Sequence, residues 1–409
     1  MTKTQQRIVT PAVIVAALGY FVDIYDLLLF SIVRKASLES LGFSGAELES
    51  NGILLLNLQM AGMLIGGVLW GVLGDKKGRL SVLFGSIFMY SVANVANGFV
   101  GSIESYGFWR FVAGIGLAGE LGAGITLVTE IMPKETRGYG TTIVASIGIA
   151  GAVVGGVLAD IFDWRTCYFI GGGLGLALLL LRVGVTESGM YAQVQEDSKV
   201  EKGNFLALFT NWKLFGRYLG FICIGLPIWY VVGILVTFSP ELGALLGTEG
   251  IKAGKAVMFC YAGMVIGDIL SGVLSQVLKS RKKVLWGFWI LALVSIVVYF
   301  GATGVTVGQF YAVCLLCGIG IGSWVVFMTA AAEQFGTNIR ATVTTTVPNF
   351  VRGAVIPMTS MYAGFATING LGSVGSAMIT GTLVMLLAAW GIHNLKETFG
   401  ENMDFTEPV

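Results

Sequence analysis

Apolar stretches long enough to cross a membrane recur along the whole chain, and they constrain its fold more than any other feature. A helix of about 20 residues crosses the roughly 30 Å hydrocarbon core of a bilayer. Because backbone polar groups in lipid must bond within their own segment, each stretch is expected to be helical. Strands of a membrane barrel would alternate apolar and polar residues, whereas these stretches are apolar on all sides.

The composition also indicates a membrane protein. Of the 409 residues, 55% are hydrophobic and 12% are charged, and the mean hydropathy is +0.80. Soluble domains carry about 25% charged residues, so water is not the main solvent of this chain. We predict an all-α membrane protein with twelve transmembrane helices, called spans 1 to 12. Their approximate ranges are 11–32, 52–73, 81–100, 106–129, 140–162, 166–184, 216–238, 255–278, 284–303, 308–330, 343–366 and 372–392.

The distribution of Lys and Arg predicts the orientation, because cytoplasmic loops carry the excess of these residues. Of the 25 lysines and arginines, 18 fall on the side that holds both termini and five fall on the other side. The remaining two, Arg110 and Arg352, lie inside spans. We therefore expect both termini in the cytoplasm, with the protein in a bacterial inner membrane. A net charge of +1 gives no indication of nucleic-acid binding.

One stretch of the sequence occurs twice. AGMLIGGVLWGVLGD, read from Ala61, returns as AGMVIGDILSGVLSQ, read from Ala262, with nine of fifteen positions identical at an offset of 201 residues. The second copy has Asp268 where the first has Gly67. An even number of spans separates the copies, so we predict two parallel six-helix halves. The expected ranges are 1–185 for the N-terminal half, 186–215 for a cytoplasmic linker, 216–392 for the C-terminal half and 393–409 for a cytoplasmic tail.

The loop between spans 2 and 3 reads GVLGDKKGR, from Gly71 to Arg79, and closely resembles the signature loop of the major facilitator superfamily. Gly71 allows another helix to approach closely. Asp75 is expected where the positive N-terminal end of span 11 would attract it. The resemblance implies a latch that closes the two halves on the inside, and a plain charged turn is the alternative. Gln276 stands at the corresponding position of the second copy, so its latch should be weaker.

Matched charged residues follow spans 4 and 10. Glu130 and Arg137 are seven residues apart, as are Glu333 and Arg340. We expect these residues to pair with one another or with Arg79. Their corresponding positions also support the duplication, because such pairs are less easily matched by chance than apolar residues.

Several short motifs resemble the branch of the superfamily that contains sugar porters, organic-ion transporters and metabolite:proton symporters. DIYDLLLFS, read from Asp23, is similar to a symporter pattern that usually has Glu at that position and Tyr at the position of Phe30. AGELGAG in span 4, DWR before span 6 and ES after it also fit, whereas Gly336 replaces the usual Pro after span 10. Ala152 replaces the Pro of the antiporter motif in span 5, which favours uptake over drug efflux.

Ionisable residues inside spans are functional candidates, because each costs at least about 2.5–3.5 kcal/mol. Asp23 and Asp26 share a helical face, and two acids in a low dielectric perturb each other's proton affinity, which suits proton coupling. Glu120, ten residues after Arg110, is expected about 15 Å deeper on a similar face of span 4 and is a second candidate proton carrier. A structural ion pair is the alternative for these acids.

Arg352 in span 11 is a candidate for binding a substrate carboxylate, because its guanidinium fork can hold both oxygens. It lies between Pro348 and Pro357, which permit a bend, and it shares a face with Asn349. Asp268 is either a further substrate-binding residue or the structural partner of Arg352.

Arg110 in span 4 is the other candidate anchor. A structural ion pair with Asp23 or Asp26 is equally compatible with the sequence. Aromatic residues inside spans are candidates for the wall of a substrate cavity: Trp229, Tyr230 and Trp324.

The five cysteines lie in or beside spans and are expected to pack as small apolar residues. Cys314 and Cys317 form a CxxC motif without His or acid partners, so we expect no metal site, no cofactor and no enzymatic activity.

The sequence therefore predicts a monomeric secondary active transporter that moves a small carboxylate-bearing metabolite across the bilayer with protons, by alternating access. An exporter of drugs or organic cations with the same fold, using Asp23 and Asp268 as counter-ions, is one alternative. A non-transporting sensor or scaffold is the other; it would need no coupling acids and would usually carry an added domain.

Overall fold

The computed structural model describes residues 11–132, 137–181, 205–368, 370–401 and 404–407, and most of the predicted linker lies outside these ranges. The α-helices are α1 Pro11–Ser40, α2 Gly45–Lys77, α3 Arg79–Asn97, α4 Ile103–Leu117, α5 Glu120–Ile131, α6 Arg137–Ile161, α7 Trp164–Leu181, α8 Ala207–Thr210, α9 Trp212–Tyr230, α10 Ser239–Leu245, α11 Ala253–Val277, α12 Arg281–Gly301, α13 Val307–Ile321, α14 Trp324–Gln334, α15 Arg340–Gly353, α16 Val355–Ala366 and α17 Gly372–Asn394. A π-helical segment, Val231–Val236, continues α9.

These helices build the twelve predicted spans, so the all-α membrane fold is confirmed. Ten helical stretches of the described residues are long and apolar enough to cross a bilayer. The other two spans are divided into shorter helices: span 4 consists of α4 and α5, and span 11 of α15 and α16. Span 10, which is one of the ten, is also interrupted, between α13 and α14. Pro348 lies within α15 and Pro357 in the first turn of α16, on either side of the division in span 11.

The division of span 4 lies just before Glu120. The regular helical hydrogen bonding is interrupted at Ala118–Gly119, but both residues keep right-handed helical dihedral angles, so the expected face of Glu120 relative to Arg110 stays a prediction. Glycine favours such an interruption because it is a poor helix former. Glu120 lies in the first turn of α5, where the positive end of a helix stabilises a carboxylate.

The sequence repeat corresponds to a repeated helix contact. A Cβ atom at Gly62 of span 2 would overlap the Phe111 carbonyl oxygen of span 4. A Cβ atom at Gly263 of span 8 would overlap the Leu315 carbonyl oxygen of span 10 in the same way. Small residues permit this backbone approach, which supports helix association in membranes. The repeat therefore preserves a close contact of spans 2 and 4, and of spans 8 and 10.

The residues after span 12 contact the start of span 7 and the loop between spans 10 and 11. Arg217 donates hydrogen bonds of 3.0 and 3.1 Å to the two carboxylate oxygens of Glu407. The Thr337 N–H donates to the Phe405 carbonyl at 2.8 Å. A Cβ atom at Gly336 would lie 2.6 Å from the backbone nitrogen of Glu407. The glycine that replaces the usual Pro therefore makes room for the C-terminal segment.

Gly318→Ala should destabilise the protein, because the added Cβ would overlap the Cys260 carbonyl oxygen of span 8. We expect a loss of about 1–3 kcal/mol from overpacking, measured as a lower midpoint in thermal unfolding of the purified protein. Gly308→Ala on the same span is the matched control, since a Cβ there meets no described atom within 4 Å. The control should be neutral or stabilising. Equal unfolding midpoints for the two variants would contradict the close contact of spans 8 and 10.

Candidate functional site

Arg352 lies deep inside the protein, in the last turn of α15, and is 1% exposed. Its Nη2 atom lies 4.0 Å from Oδ2 of Asp23 in span 1. Its guanidinium carbon lies 5.9 Å from the ring centres of both Trp229 and Trp324, which is within the range of cation–π attraction. One carboxylate and two indole rings, from spans 1, 7 and 10, therefore surround this cation.

Asn349 holds Arg352 in place. Its Oδ1 accepts a 3.3 Å hydrogen bond from Arg352, and its Nδ2 donates to the carbonyls of Ala118 at 2.8 Å and Thr345 at 2.7 Å. Ala118 lies at the interruption of span 4, so span 11 satisfies a carbonyl that the interruption exposes. A Cβ atom at Gly67 would lie 2.9 Å from the Asn349 Cβ, and the glycine of the first copy thus makes room for this amide.

Asp268 stands at the position of that glycine in the second copy. The sequence suggests Arg352 as its structural partner, whereas the structure shows a backbone partner. Its Oδ1 accepts a 3.1 Å hydrogen bond from the N–H of Val325, at the start of α14, where span 10 resumes after an interruption. A carboxylate at this place satisfies a free N–H and complements the helix dipole. Arg352 forms its ion pair with Asp23, so the structure differs from a pairing of Arg352 with Asp268.

The Asp23 carboxylate is fully buried, and neither of its oxygens has a hydrogen-bond partner among the described residues. It interacts electrostatically with Arg352, which attracts it, and with Glu120, which repels it. An ion buried without good hydrogen bonds is held mainly by its counter-ion. Protonation of Asp23 would therefore weaken its hold on Arg352.

Arg110 forms a second polar cluster inside the first half. It donates a hydrogen bond to Oε1 of Gln59, and its guanidinium carbon lies 5.3 Å from the ring centre of Phe30. Asp26 is fully buried and interacts electrostatically with both Asp23 and Arg110. The two acids of span 1 are therefore coupled to each other, and each is also coupled to a different arginine.

The sequence prediction omits two residues of these clusters and includes one that lies elsewhere. Gln59 is a fully buried amide in an otherwise apolar stretch, a signal the sequence does contain. Tyr20 lies one turn before Asp23 and within electrostatic range of Arg352. Tyr230, by contrast, donates a 2.7 Å hydrogen bond to the Ala377 carbonyl of span 12, so it points away from the cluster of Arg352.

Asp75 contacts the start of span 11, at the predicted cytoplasmic end. Its two carboxylate oxygens accept hydrogen bonds from the N–H groups of Ala341 at 3.2 Å and Thr342 at 2.8 Å, and the Thr342 hydroxyl donates a third at 2.7 Å. A Cβ atom at Gly71 would lie 3.0 Å from the Thr342 Cα. Span 2 is thus bound to the N-terminal end of α15 through a charge-assisted cap.

Two ion pairs lie at the same end. Glu130 pairs with Arg340 at 3.4 Å, which connects span 4 to span 11. Glu333 pairs with Arg281 at 2.9 Å, which connects span 10 to the start of span 9. The side chains of the other two candidates lie outside the described part of the structure: Arg79 and Arg137.

The second copy of the loop retains only part of the arrangement around Asp75. Gly272 corresponds to Gly71, and a Cβ atom there would overlap the side chain of Thr142 in span 5. The residue that corresponds to Asp75 is Gln276, which is neutral. The contact of spans 5 and 8 therefore has the glycine but lacks the carboxylate.

Comparison with known proteins gives consistent matches along the chain. The model of the Major Facilitator Superfamily matches residues 16–356. A gentisate transporter of Corynebacterium glutamicum is 25% identical, covering 93% of this chain and 82% of its own. A cis,cis-muconate transport protein of Acinetobacter baylyi is 25% identical and covers 89% of each chain. The solved structure of a proton:xylose symporter has a TM-score of 0.73 at 16% identity, covering 96% of this chain and 97% of its own, and therefore has the same fold.

Asp23 and Arg352 should be energetically coupled, because removing either one leaves the other charge buried alone. A double-mutant cycle of Asp23→Asn and Arg352→Gln, measured as unfolding free energy in detergent, should give a coupling of about 1–3 kcal/mol. The matched cycle of Asp268→Asn with Arg352→Gln should give less than about 0.5 kcal/mol, since Asn can still cap α14. Stronger coupling of Arg352 to Asp268 than to Asp23 would overturn this assignment.

Asp75→Asn should loosen the start of span 11, because the amide lacks the charge and can accept fewer hydrogen bonds. Hydrogen exchange of the first turn of α15 should accelerate by about tenfold, corresponding to about 1.4 kcal/mol. The matched change Gln276→Ala should alter exchange at the start of α6 by much less. The proposed asymmetry would be refuted by equal acceleration at the two sites.

Proposed function

The chain belongs to the major facilitator superfamily and is a transporter of small metabolites, and we propose that it takes up a carboxylate-bearing compound together with protons. It is a multi-pass membrane protein. We place it in a bacterial inner membrane with both termini in the cytoplasm, because Lys and Arg are concentrated on that side. In this proposal it acts as a monomer whose two six-helix halves move about the site around Arg352.

The surroundings of Arg352 carry the proposal of a carboxylate substrate. The guanidinium can bind a carboxylate through two parallel hydrogen bonds, and its present partner Asp23 is itself a carboxylate. The rings of Trp229 and Trp324 beside it provide apolar walls for the rest of a small molecule. Gentisate and cis,cis-muconate, the compounds for which two relatives are named, both carry carboxylates.

The acids of span 1 support the coupling to protons. When Asp23 takes up a proton, Arg352 loses its counter-ion and can bind an anion from outside the protein. When the anion leaves, the buried cation again favours an ionised Asp23. Asp26 is coupled to both Asp23 and Arg110, so its protonation state would influence the same exchange, and Glu120 acts on Asp23 as a further charge.

Export of organic cations is less well supported by this geometry. Such a substrate would need acids that are available as counter-ions. Asp23 already has Arg352 as its partner, and Asp268 accepts a backbone hydrogen bond at the start of α14.

Uptake into proteoliposomes tests the proposal. At least one of three labelled compounds, gentisate, cis,cis-muconate or benzoate, should accumulate under an inward proton gradient. The amide analogue of that compound should not accumulate.

Asp26→Asn should abolish accumulation and leave substrate counterflow partly intact, because exchange needs no net proton movement. If a sodium gradient drives uptake and a protonophore has no effect, proton coupling is wrong. Equal loss of accumulation and counterflow would indicate a structural or substrate-binding role for Asp26.

A further inference from the structure

A cavity of about 780 Å³ lies at the end of the spans opposite Asp75, and we call it the outer vestibule. It is bordered by the ends of spans 1 and 5, the short helix α10 and the start of span 8. Charged side chains of both signs line it: Arg34, Lys35, Glu39, Asp160, Glu241, Lys252 and Lys255. The function proposed above does not use these residues.

Arg34 differs from its charged neighbours in being only 3% exposed. Its Nη2 atom pairs with Oε1 of Glu241 at 2.9 Å, and its guanidinium carbon lies 5.1 Å from the ring centre of Phe238. A Cβ atom at Gly52 would lie 2.9 Å from Nη1 of Arg34, so the guanidinium lies close against span 2. The Nε and Nη1 atoms are buried and have no hydrogen-bond partner among the described residues. Arg34 therefore uses only part of its hydrogen-bonding capacity.

The Arg34–Glu241 pair also connects the two halves of the chain. Arg34 belongs to span 1, and Glu241 belongs to α10, which follows span 7. Glu241 is 30% exposed, so water can solvate its carboxylate when the pair separates. One oxygen of Glu241 already lacks a hydrogen-bond partner among the described residues. Arg34 is thus the buried member of this ion pair, and Glu241 is the member that can be displaced.

We propose that the outer vestibule is a first binding site for the carboxylate of the transported compound, which competes with Glu241 for Arg34. This inference rests on the proposed function, because it takes the substrate to be a carboxylate. A carboxylate can accept two parallel hydrogen bonds from a guanidinium, which is stronger than a single contact. Lys252 and Lys255 at the rim would raise the local concentration of anions. Binding would release α10 from span 1 and thereby favour separation of the halves at this end.

Protection of an engineered cysteine tests the site in the purified, full-length protein. Ala36→Cys provides an exposed reporter in the vestibule wall, and the five native cysteines are buried. The rate of thiol labelling is measured against the concentration of benzoate, with benzamide as the neutral match. Benzoate should slow labelling and benzamide should not.

Variants in the reporter background assign this protection to individual residues. Arg34→Gln should raise the half-protecting benzoate concentration at least about tenfold, as expected for a lost charge-assisted hydrogen bond. Arg34→Lys keeps the positive charge at this buried position and is the control for misfolding of the Gln variant. It should retain part of the protection. Glu241→Gln should lower the half-protecting concentration about three- to tenfold, because it removes the competing carboxylate. Lys35→Gln, which alters an exposed cation beside Glu39, should change it less than about twofold.

The proposal is overturned if benzoate slows labelling of Ala36→Cys equally with and without Arg34. It is also overturned if benzoate slows labelling neither in the reporter protein nor in its Glu241→Gln variant. Its failure is distinguishable from failure of the proposed function. Proton-driven carboxylate uptake without protection at Ala36→Cys would remove the vestibule site alone. Protection that depends on Arg34, in a protein that accumulates no carboxylate, would remove the proposed transport function and leave an anion site.

Discussion

The account depends on one buried ion pair, between Arg352 of span 11 and Asp23 of span 1. A charge at this depth costs at least about 2.5–3.5 kcal/mol, so each member stabilises the other, and together they connect the two predicted halves. The 4.0 Å separation, together with Asp23 oxygens that accept no hydrogen bond from any described residue, indicates a contact that is held by charge rather than by hydrogen bonds. A proton on Asp23 or an anion on Arg352 would replace this partner, and either event would change how the halves are held together.

Spans 4 and 10 are both interrupted near this pair, and the two copies of the repeat satisfy their backbone groups differently. In the first half, Asn349 from the other half donates to the Ala118 carbonyl. In the second half, Asp268 from within the same half accepts from the N–H of Val325. Gly67 and Asp268 therefore differ because one makes room for an amide while the other provides a cap. Interrupted helices near the midplane are typical of the sites of secondary transporters.

The sequence predicts the spans from apolar length, and it predicts the contact of Asp75 with the start of span 11 from the helix dipole and from the resemblance of the loop to the superfamily signature. It does not predict which acid pairs with Arg352, since that choice depends on side-chain packing between spans distant in the sequence. Gln59 shows a second reason. An uncharged amide costs less to bury than an ion, so Gln59 in span 2 is a weaker indication of a functional site than an acid inside a span would be. Arg34 falls at the end of a span, where an arginine is common and predicts little by itself.

The most direct test of the central claim measures distances between spin labels in the two halves. Labels replace exposed lysines, Lys77 and Lys283 at the predicted cytoplasmic end, and Lys35 and Lys252 at the outer end. If the Asp23–Arg352 pair sets the balance between two arrangements of rocking halves, Asp23→Asn should shift the two distance distributions in opposite directions. Distributions that stay the same as in the unmodified protein, or that lengthen together at both ends, would contradict the account.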